Sequence, residues 1–578
     1  MTTRDYSRAH ACCRSRIVLR LPDRLCIALC LATPAFAQTP PDAGALQQQI
    51  ERERKPALPR QAIPERPAEP VAMPAKIGVI AQVRTFRFAG NTLLSAEQLA
   101  PVVAGYLNRP LTYADLQAAA ADVARAYREA GWIVRAYLPR QDITEGSVTI
   151  QIIEAVFGGV RLEGAEPLRL KFPQVLGIVA AQQAEGKPLN AEALDRALLL
   201  ADDLPGVAVS GSLAAGQQEG ASDLVLKLGD EPLLIGEALV DNSGARSTGR
   251  ERASANLTLN SPFQRGDLIS ANFIHTEGSD YLRLASTLPL GSDGWRVGVN
   301  ASHLRYQLVA PEFTALKASG TSDTFGADAS YPLVRSRMGN LYLAAGLDHK
   351  QFDNHSNGAV TTRYTIDTLN IGLSGNLFDK LGGGGASSAN LTWVGGRLDL
   401  DGSPNQAADV ATTRSAGRFD KLRYTASRQQ VISEEVSLFL ALTGQWASKN
   451  LDSAEKFYLG GVNGVRAYPS SEGGGSEGHL LNLELRWRLP EGFALIGFYD
   501  AGSVKVNRNN QFTGAPTLNH YRLKGSGVAL NWQSASGLAL KAIWARRIGE
   551  NPNPTNTGND QDGSLIKDRL WLSASLPF

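Results

Sequence analysis

Cysteine is nearly absent from this chain of 578 residues. Its four cysteines, Cys12, Cys13, Cys26 and Cys30, all fall within the first 30 positions. The rest of the chain therefore has no disulfide framework, no thiol nucleophile and no zinc site built on cysteine. A large protein without cysteine fits the bacterial envelope, because free thiols risk wrong pairing in an oxidising compartment.

The chain also has no excess of one charge and no long apolar run after its N-terminus. A formal net charge of +2 gives no basic field, so we expect no nucleic-acid partner. No run of about eighteen or more apolar residues exists, which excludes transmembrane helices. It does not exclude a transmembrane barrel, whose alternating strands leave hydropathy near average.

Motifs of catalysis and cofactor binding are missing as well. The stretch GGSEGH at residues 474–479 fits the serine-hydrolase pattern, but that elbow needs a strand before it and a helix after it. The stretch NDQDG at residues 559–563 lacks the later acidic ligand of a calcium loop. The histidines after His10 show no metal-ligand spacing. We therefore predict no enzyme, no catalytic residues, no cofactor and no metal.

The N-terminus contains the three parts of an export signal in the right order. A segment with four arginines precedes the apolar core LCIALCLA at residues 25–32. Ala35 and Ala37 then form a small-x-small cleavage site before Gln38. The apolar core is too short to span a bilayer. These features predict a signal peptide over residues 1–37, with a disordered basic tail as the alternative.

Two segments of unusual composition follow the cleavage site. Residues 38–55 favour a helix, but only Leu46 and Ile50 share an apolar face. Such a helix suits a water-filled lumen, and an unstructured segment is equally compatible with the composition. Residues 56–75 carry six prolines, which indicates an extended polyproline-II linker of roughly 60 Å. The linker would let the first segment act far from the next domain.

Residues 80–229 contain an internal repeat with a period of about 75 residues, which indicates a duplicated module. Each copy has a strand, an amphipathic helical region and two further alternating strands. The sequence predicts two small α+β domains, at residues 76–155 and 156–230, with helices on one face of each sheet. Matching positions in the two copies are Gly90 and Gly164, Pro110 and Pro188, and Gly131 and Gly206.

Residues 231–578 consist of about sixteen segments of roughly 10–18 residues with alternating polarity. The segment LNLELRWRL at residues 481–489 places leucine and tryptophan on one face and asparagine, glutamate and arginine on the other. This pattern suits a strand between lipid and water, and the charges favour a pore over a soluble sandwich. Strands in lipid must close on themselves. The last segment, RLWLSASLPF, ends on an aromatic residue, as bacterial outer-membrane barrels commonly do.

A long glycine-rich loop interrupts this pattern between the eleventh and twelfth predicted strands, at residues 450–479. Loops of that length without secondary structure are usually functional. Downstream, Asp500 lies in the middle of a strand, where an acid facing lipid would be costly, so it should face the lumen. Arg466 of the loop can meet Asp500 if the loop folds inward.

Together these segments resemble the two-partner secretion transporters (TpsB, the haemolysin/haemagglutinin secretion-activation proteins) of the POTRA-plus-barrel outer-membrane superfamily. The resemblance covers essentially the whole chain after the signal peptide. It implies a 16-stranded antiparallel transmembrane barrel, two POTRA-type β-α-α-β-β repeats and an N-terminal plug helix. The barrel would lie in the bacterial outer membrane, in contact with its lipids, with the POTRA domains in the periplasm.

The resemblance also implies site residues. In the family, the sixth extracellular loop folds into the barrel, and the arginine of its V-R-G-[YF] tip pairs with the aspartate of an F-x-D-x-G motif on the wall. The corresponding positions here are Val465, Arg466, Ala467, Tyr468, Phe498, Asp500 and Gly502. Ala467 departs from the family glycine. If this position needs a positive φ, alanine adds strain on the order of 1 kcal/mol.

The function that the resemblance implies is export of one dedicated large exoprotein of the adhesin or haemolysin class. The two repeats would capture its N-terminal secretion domain by β-augmentation, and the transporter would be a monomer. The first helix would plug the resting barrel and leave on its proline tether. One alternative is a factor that inserts other barrel proteins, and another is a solute porin. Assembly factors usually carry more repeats, and porins need neither repeats nor a plug.

Overall fold

The computed structural model describes residues 40–53, 79–143, 145–218 and 220–578. In chain order these form a helix, α1 (Ala43–Glu53), two small α+β units and a closed barrel. The predicted signal peptide, with Ala35, Ala37 and Gln38, and the predicted linker at 56–75 lie outside the described residues. Among the helices that are described, none has both the length and the apolar character needed to cross a membrane.

The first α+β unit has the three-stranded sheet β2-β5-β4, with a small β1-β3 sheet beside it. Helix α3 begins at a capping box in which Thr112 and Asp115 satisfy each other's backbone amides. Its apolar face buries Leu116 and Val123 in the core of the unit. The elements are β1 Val79–Gln82, β2 Thr85–Ala89, α2 Ala96–Val103, a 3-10 turn Ala104–Tyr106, β3 Pro110–Thr112, α3 Tyr113–Glu129, β4 Val134–Tyr137 and β5 Ser147–Glu154.

The second unit repeats this layout and has a core of its own. Its sheet order is β6-β8-β7, with β6 parallel and β7 antiparallel to β8, as β2 and β4 are to β5. The prediction of two β-α-α-β-β repeats is thereby confirmed. The elements are β6 Val156–Glu163, α4 Phe172–Gln182, α5 Ala191–Asp202, β7 Val207–Ala215 and β8 Ala221–Asp230.

Ion pairs join the second unit to the barrel. Both oxygens of the Asp203 carboxylate accept hydrogen bonds of 2.8 Å from Arg335 in a barrel strand. Asp195 on α5 makes a second ion pair with Arg337, at 2.9 Å. Paired bonds to planar guanidinium groups fix orientation as well as distance. The unit next to the membrane is therefore held at a set angle to the pore.

Sixteen antiparallel strands form the barrel, each paired with its neighbours in sequence, and the last strand pairs with the first. This confirms the predicted fold class. The barrel strands are β9 Leu234–Asp241, β10 Arg252–Asn260, β11 Leu268–Thr276, β12 Ser279–Leu290, β13 Trp295–Gln307, β14 Ser319–Arg335, β15 Gly339–Ser356, β16 Ala359–Asp379, β17 Gly385–Asp399, β18 Gly417–Val431, β19 Val436–Ala447, β20 Glu477–Arg488, β21 Phe493–Lys505, β22 His520–Gln533, β23 Ala539–Arg547 and β24 Asp568–Pro577. Short helices in its connections are Pro311–Leu316, Leu381–Gly383, α6 Gln406–Ala411 and Ser453–Glu455.

The two faces of the strands separate as the alternation predicts. In β20, Leu485 and Trp487 are exposed on the outer surface, at 51% and 48%. Glu484, the residue immediately before Leu485, points inward and contacts the loop that occupies the lumen. A polar interior and an apolar exterior are what a membrane barrel requires.

Helix α1 lies inside the barrel, against the inner faces of β13, β14 and β15. Leu46 is buried in an apolar cluster of the barrel wall, and Ile50 packs against the same cluster. Gln47 donates to Thr324 over 2.6 Å, and the amide of Ala43 donates to Asn354 over 2.9 Å. A mostly polar helix is therefore held in a polar lumen by one narrow apolar stripe and several hydrogen bonds.

Candidate functional site

The glycine-rich loop between β19 and β20 folds back into the barrel. Glycines permit this path because the chain approaches itself closely. A Cβ at Gly460 would lie 2.0 Å from the carbonyl oxygen of Pro469, and one at Gly464 would lie 2.0 Å from that of Leu459. Gly461 has a φ of +105°, which a residue with a side chain rarely adopts.

The tip of the loop presents Arg466 to Asp500 on β21. Arg466 Nε donates to Asp500 Oδ2 over 2.8 Å, and Arg466 Nη2 donates to Asp500 Oδ1 over 2.7 Å. The backbone amide of Arg466 donates to the same carboxylate over 3.1 Å. Arg466 is 5% exposed and Asp500 is fully buried. Removing one partner of an ion pair that is this well hydrogen-bonded and this well shielded from water is strongly destabilising, because the other charge stays buried without a partner.

Other members of the predicted wall motif also contact the tip. The guanidinium carbon of Arg466 lies 3.6 Å from the ring centroid of Phe498, a cation–π contact. Gly502 leaves room for the loop, since a Cβ there would lie 2.4 Å from a side-chain methyl of Leu459. Phe498 and Gly502 face the lumen together with Asp500, because alternate residues of a strand share a face.

Ala467, which stands where the resemblance implies a glycine, does not have a positive φ. The strain that a left-handed conformation would impose is therefore absent. The Cβ of Ala467 instead fills space above Gly525 of the wall, where an added Cβ would lie 2.7 Å away. Val465 and Tyr468 are fully buried in the apolar cluster beneath the tip. Gly525 of the wall thus provides the clearance that the side chain of Ala467 needs.

Sequence reasoning missed two residues of this site. Glu484 on β20 accepts from Arg466 Nη1 over 2.8 Å, so the arginine bridges two carboxylates. Asn482 donates to Asp500 Oδ1 over 2.8 Å and to the carbonyl oxygen of Gly464 over 3.1 Å. Both lie on the polar face of the segment LNLELRWRL, opposite Phe498 and Asp500 in the strand register. The alternation marked them as lumen-facing, but only the register shows which of them reach the loop.

A second missed cluster holds the end of the loop against the connection between β23 and β24. Glu472 is fully buried and accepts hydrogen bonds from Asn551, over 3.0 Å, and from the amide of Gln561, over 2.8 Å. Asp560 beside it binds Arg547, whose guanidinium carbon lies 4.5 Å from the ring centroid of Tyr468. Burial raises the pKa of Glu472 to about 7, and the neighbouring aspartates add to the rise.

A third missed cluster anchors the beginning of the loop. Glu455, only 2% exposed, lies between Lys350 at 2.9 Å and Lys421 at 2.5 Å, on strands β15 and β18. Burial alone would raise the pKa of Glu455, but the two ammonium groups outweigh it and lower the pKa to about 2. The loop is therefore fastened to the wall at its start as well as at its tip.

Helix α1 is hydrogen-bonded to the same loop. Arg52 Nη1 donates to the carbonyl oxygen of Tyr458 over 2.5 Å, and Arg52 Nη2 donates to that of Gly460 over 3.4 Å. At the other end of the helix, Ser453 Oγ donates to Asp42 over 2.8 Å. Burial, followed by the charge of Asp42, raises the pKa of Asp452 to about 6. The helix and the loop form one connected body in the lumen.

The stretches that imitate catalytic motifs are structural. Ser476 Oγ donates to the carbonyl oxygen of Val506 over 3.2 Å, while His479 Nδ1 lies 2.6 Å from the hydroxyl of Tyr424. Asp560 and Asp562 of NDQDG bind arginines of the barrel. In the part of the chain that is described, no three histidine, cysteine or acidic side chains are grouped so that they could hold a metal ion.

Comparison with known proteins agrees with this architecture. The family profile described as haemolysin secretion/activation protein ShlB/FhaC/HecB matches residues 220–531, and a POTRA domain profile of ShlB type matches residues 81–155. The heme/hemopexin transporter protein HuxB of Haemophilus influenzae is 26% identical over 566 residues, covering 95% of this chain and 97% of HuxB. The hemolysin transporter protein ShlB of Serratia marcescens is 26% identical over 492 residues, covering 79% and 84%.

Among solved structures, CdiB from Escherichia coli aligns with a TM-score of 0.69 at 20% identity. The alignment covers 94% of this chain and 100% of that CdiB chain, and it shows a shared fold. The family profile, in contrast, covers more than half of the present chain, including most of the barrel and the docked loop. This chain therefore belongs to the haemolysin secretion/activation family of outer-membrane transporters, which act in two-partner secretion with dedicated secreted partners.

Proposed function

We propose that this transporter binds the N-terminal secretion domain of one large exoprotein, of the adhesin or haemolysin class, and exports it through its own barrel. The observation that carries the proposal is the filled lumen. Helix α1 and the loop are hydrogen-bonded to each other and to the wall, so a passing chain must displace both. Water can replace the hydrogen bonds that hold them as they leave.

The two periplasmic units supply a physical mode of capture. Among the strands that the structure describes, β7 pairs only with β8 and β4 pairs only with β5, so each sheet has an edge without a partner strand. An extended cargo segment can add to such an edge through its backbone, with side chains setting specificity. Leu213 on β7 is 43% exposed and offers an apolar contact beside that edge. The POTRA unit that the family profile matches contains β4 and β5.

Several assignments from the sequence belong to the same proposal. Residues 1–37 are the signal peptide, 38–55 the plug, 56–75 the linker, 76–155 and 156–230 the POTRA domains, and 231–578 the barrel. The transporter works as a monomer, without catalysis, and in contact with outer-membrane lipids. HuxB is named a heme/hemopexin transporter, so a cargo that binds heme or hemopexin is among the first to test.

The proposal is tested with purified full-length transporter in detergent and the N-terminal domain of a candidate cargo, a large exported protein whose gene neighbours that of the transporter. We expect binding at micromolar concentration, since a transporter must also release its cargo. A transporter that lacks residues 79–155 is expected to lose this binding. Native mass spectrometry of the same sample should show one transporter per cargo domain. Equal binding by the shortened transporter would contradict capture by the first unit, and a dimer would contradict the monomer.

A further inference from the structure

Three histidine–aspartate pairs lie on the outer surface of the barrel, each bridging two neighbouring strands. His275 Nδ1 lies 2.6 Å from Asp280, His303 Nδ1 lies 2.7 Å from Asp323, and His349 Nδ1 lies 2.6 Å from Asp367. The three histidine side chains are 56%, 54% and 44% exposed. Because Nδ1 meets the carboxylate, each ring has a fixed orientation and presents Nε2 at its exposed edge. We call these three pairs the imidazole belt.

The strand register places the belt at one depth in the membrane. In the strand register, His275 is paired with Asp280 of β12, and Asp280 is paired with Arg305 of β13. His303 lies on β13 two residues nearer the periplasm than Arg305. His303 lies level with Gln351 of β15, and His349 is again two residues nearer the periplasm. A step of two strands and two residues, about 9.6 Å by about 6.6 Å, corresponds to an angle of about 35°. Strands of membrane barrels tilt by about 35–45°, so this step runs parallel to the membrane plane.

The belt lies where the apolar surface ends. On the same outward face, immediately toward the periplasm, are exposed apolar side chains: Phe273 at 44%, Phe325 at 59% and Leu347 at 59%. These apolar rows mark the hydrocarbon region of the membrane. The imidazoles stand at the next level, which in an outer membrane is the headgroup layer of the outer leaflet.

Two arginines and two clefts lie on the same surface as the imidazole belt. Arg305 is exposed between the first two pairs, and Arg363, 63% exposed, bonds Asp353 at 2.6 Å. Two clefts lie here. One, of about 390 Å³, is lined by Asp280 and Arg305, and the other, of about 500 Å³, is lined by Asp323 and Arg363. Each cleft thus combines a member of the belt with an arginine.

We propose that the imidazole belt, with Arg305 and Arg363, binds the phosphorylated sugar headgroups of lipopolysaccharide in the outer leaflet. Sugar hydroxyls donate to the carboxylates and to imidazole nitrogens, while phosphates accept from arginine. A surface for simple anionic phospholipid would be a cluster of lysine and arginine alone. Here each cleft has one arginine and several carboxylates, with Glu277 and Asp353 added in the first and Asp399 and Asp401 in the second, so the surface matches a headgroup with many hydroxyls and few phosphates.

The test uses the full-length transporter in detergent, titrated with rough-type lipopolysaccharide or with a mixture of phosphatidylethanolamine and phosphatidylglycerol. We expect lipopolysaccharide to raise the Tm more than phospholipid, and native mass spectrometry to show retained lipopolysaccharide molecules. The combined variant His275→Ala, His303→Ala, His349→Ala and Arg363→Ser should bind lipopolysaccharide at least fivefold more weakly. The matched control, Lys380→Ala with Glu434→Ala at the periplasmic rim, should bind like the unaltered protein.

Equal effects of the two lipids on the unaltered protein would overturn the proposal, as would undiminished binding by the combined variant. Barrel folding is checked by the shift in gel mobility on heating. If the alanine variant does not fold, His275→Gln, His303→Gln and His349→Gln with Arg363→Ser replace it, because glutamine preserves a hydrogen bond to each aspartate. That set must still lose affinity. Neither result depends on the identity of the cargo.

Discussion

The guanidinium of Arg466 is held between two side chains of one strand: it stacks 3.6 Å above Phe498 and bonds Asp500 two residues later. Because the two positions share the lumen face, the F-x-D spacing delivers a ring and a carboxylate to a single arginine. Trp571 on β24 adds a hydrogen bond of 2.8 Å from its indole to the Arg466 carbonyl oxygen. The tip is fixed through its side chain and its backbone together.

Removing either charge of this pair should release the loop. We expect Arg466→Ala and Asp500→Ala each to reduce secretion sharply while barrel insertion survives, because a buried partner left unpaired costs about 3–5 kcal/mol. The double variant should secrete little less than either single variant, since both remove the same contact. Secretion of the cargo into the medium is the measurement, with barrel folding checked on gels.

Glu484→Gln serves as the graded control, because it removes one charge but keeps Asp500 on the arginine. Its loss of secretion should be smaller than that of Asp500→Ala. Normal secretion by both single alanine variants, or losses that multiply in the double variant, would show that Arg466 and Asp500 do not act as partners.

The hydrogen bonds from Arg52 to the loop give a direct test of the plug. Deletion of residues 38–55 should raise single-channel conductance in planar bilayers, because it removes the helix from the lumen. Arg52→Ala should increase the frequency of open events without reaching the conductance of the deletion, while Arg52→Lys should lie between this variant and the unaltered protein. Arg128→Ala, in helix α3 of the first α+β unit, is the control and should leave the conductance unchanged. If the deletion left the conductance unchanged, residues 38–55 would not be a plug of the pore.

The buried Glu455 should be important for stability beyond its role in the loop. Glu455→Ala leaves Lys350 and Lys421 facing each other without their carboxylate. We expect the free energy of unfolding to fall by about 3–5 kcal/mol, so that the barrel unfolds at a lower temperature. Replacing all three together, as Glu455→Leu, Lys350→Met and Lys421→Met, should recover most of this loss, because neither lysine is then left without the carboxylate of Glu455. The temperature of the heat-dependent gel shift reports the effect. A triple variant less stable than Glu455→Ala would contradict the explanation.

The buried carboxyl group of Glu472 should make docking of the loop depend on pH. Its pKa is raised to about 7 in the docked loop, whereas an exposed glutamate ionises at about 4.3. The docked state therefore binds more protons between these values, and docking weakens as pH rises from about 4.3 through about 7. Channel recordings should show more frequent opening at pH 8 than at pH 5. Glu472→Gln should remove most of this difference, and a variant with the full pH dependence would exclude Glu472 as its source.

The barrel was predictable from sequence because alternation is a local property: each strand records which of its residues meet lipid. The orientation of Asp500 was predictable for the same reason, since a carboxylate in the middle of a strand is too costly to place against lipid and must face the lumen. Glu455, Glu472 and Glu484 were not, because their roles depend on which inward positions the loop reaches. That choice is set by strand register and loop path, and the partners lie many residues apart.

The seam between β9 and β24 also determines how this protein can be made. The amides of Gly236 and Phe578 each donate to the other's carbonyl oxygen, over 2.8 Å and 2.9 Å. At the other end of the seam, the Asn242 side chain donates to the carbonyl oxygen of Leu570, which is 328 residues away in sequence. Contacts with such sequence separation form late, because chain entropy must be lost first. Until then both edges expose unpaired amides and carbonyls that hydrocarbon does not tolerate. The nascent chain must therefore be sheltered until its last strand is synthesised, and membrane entry and ring closure become a single late event.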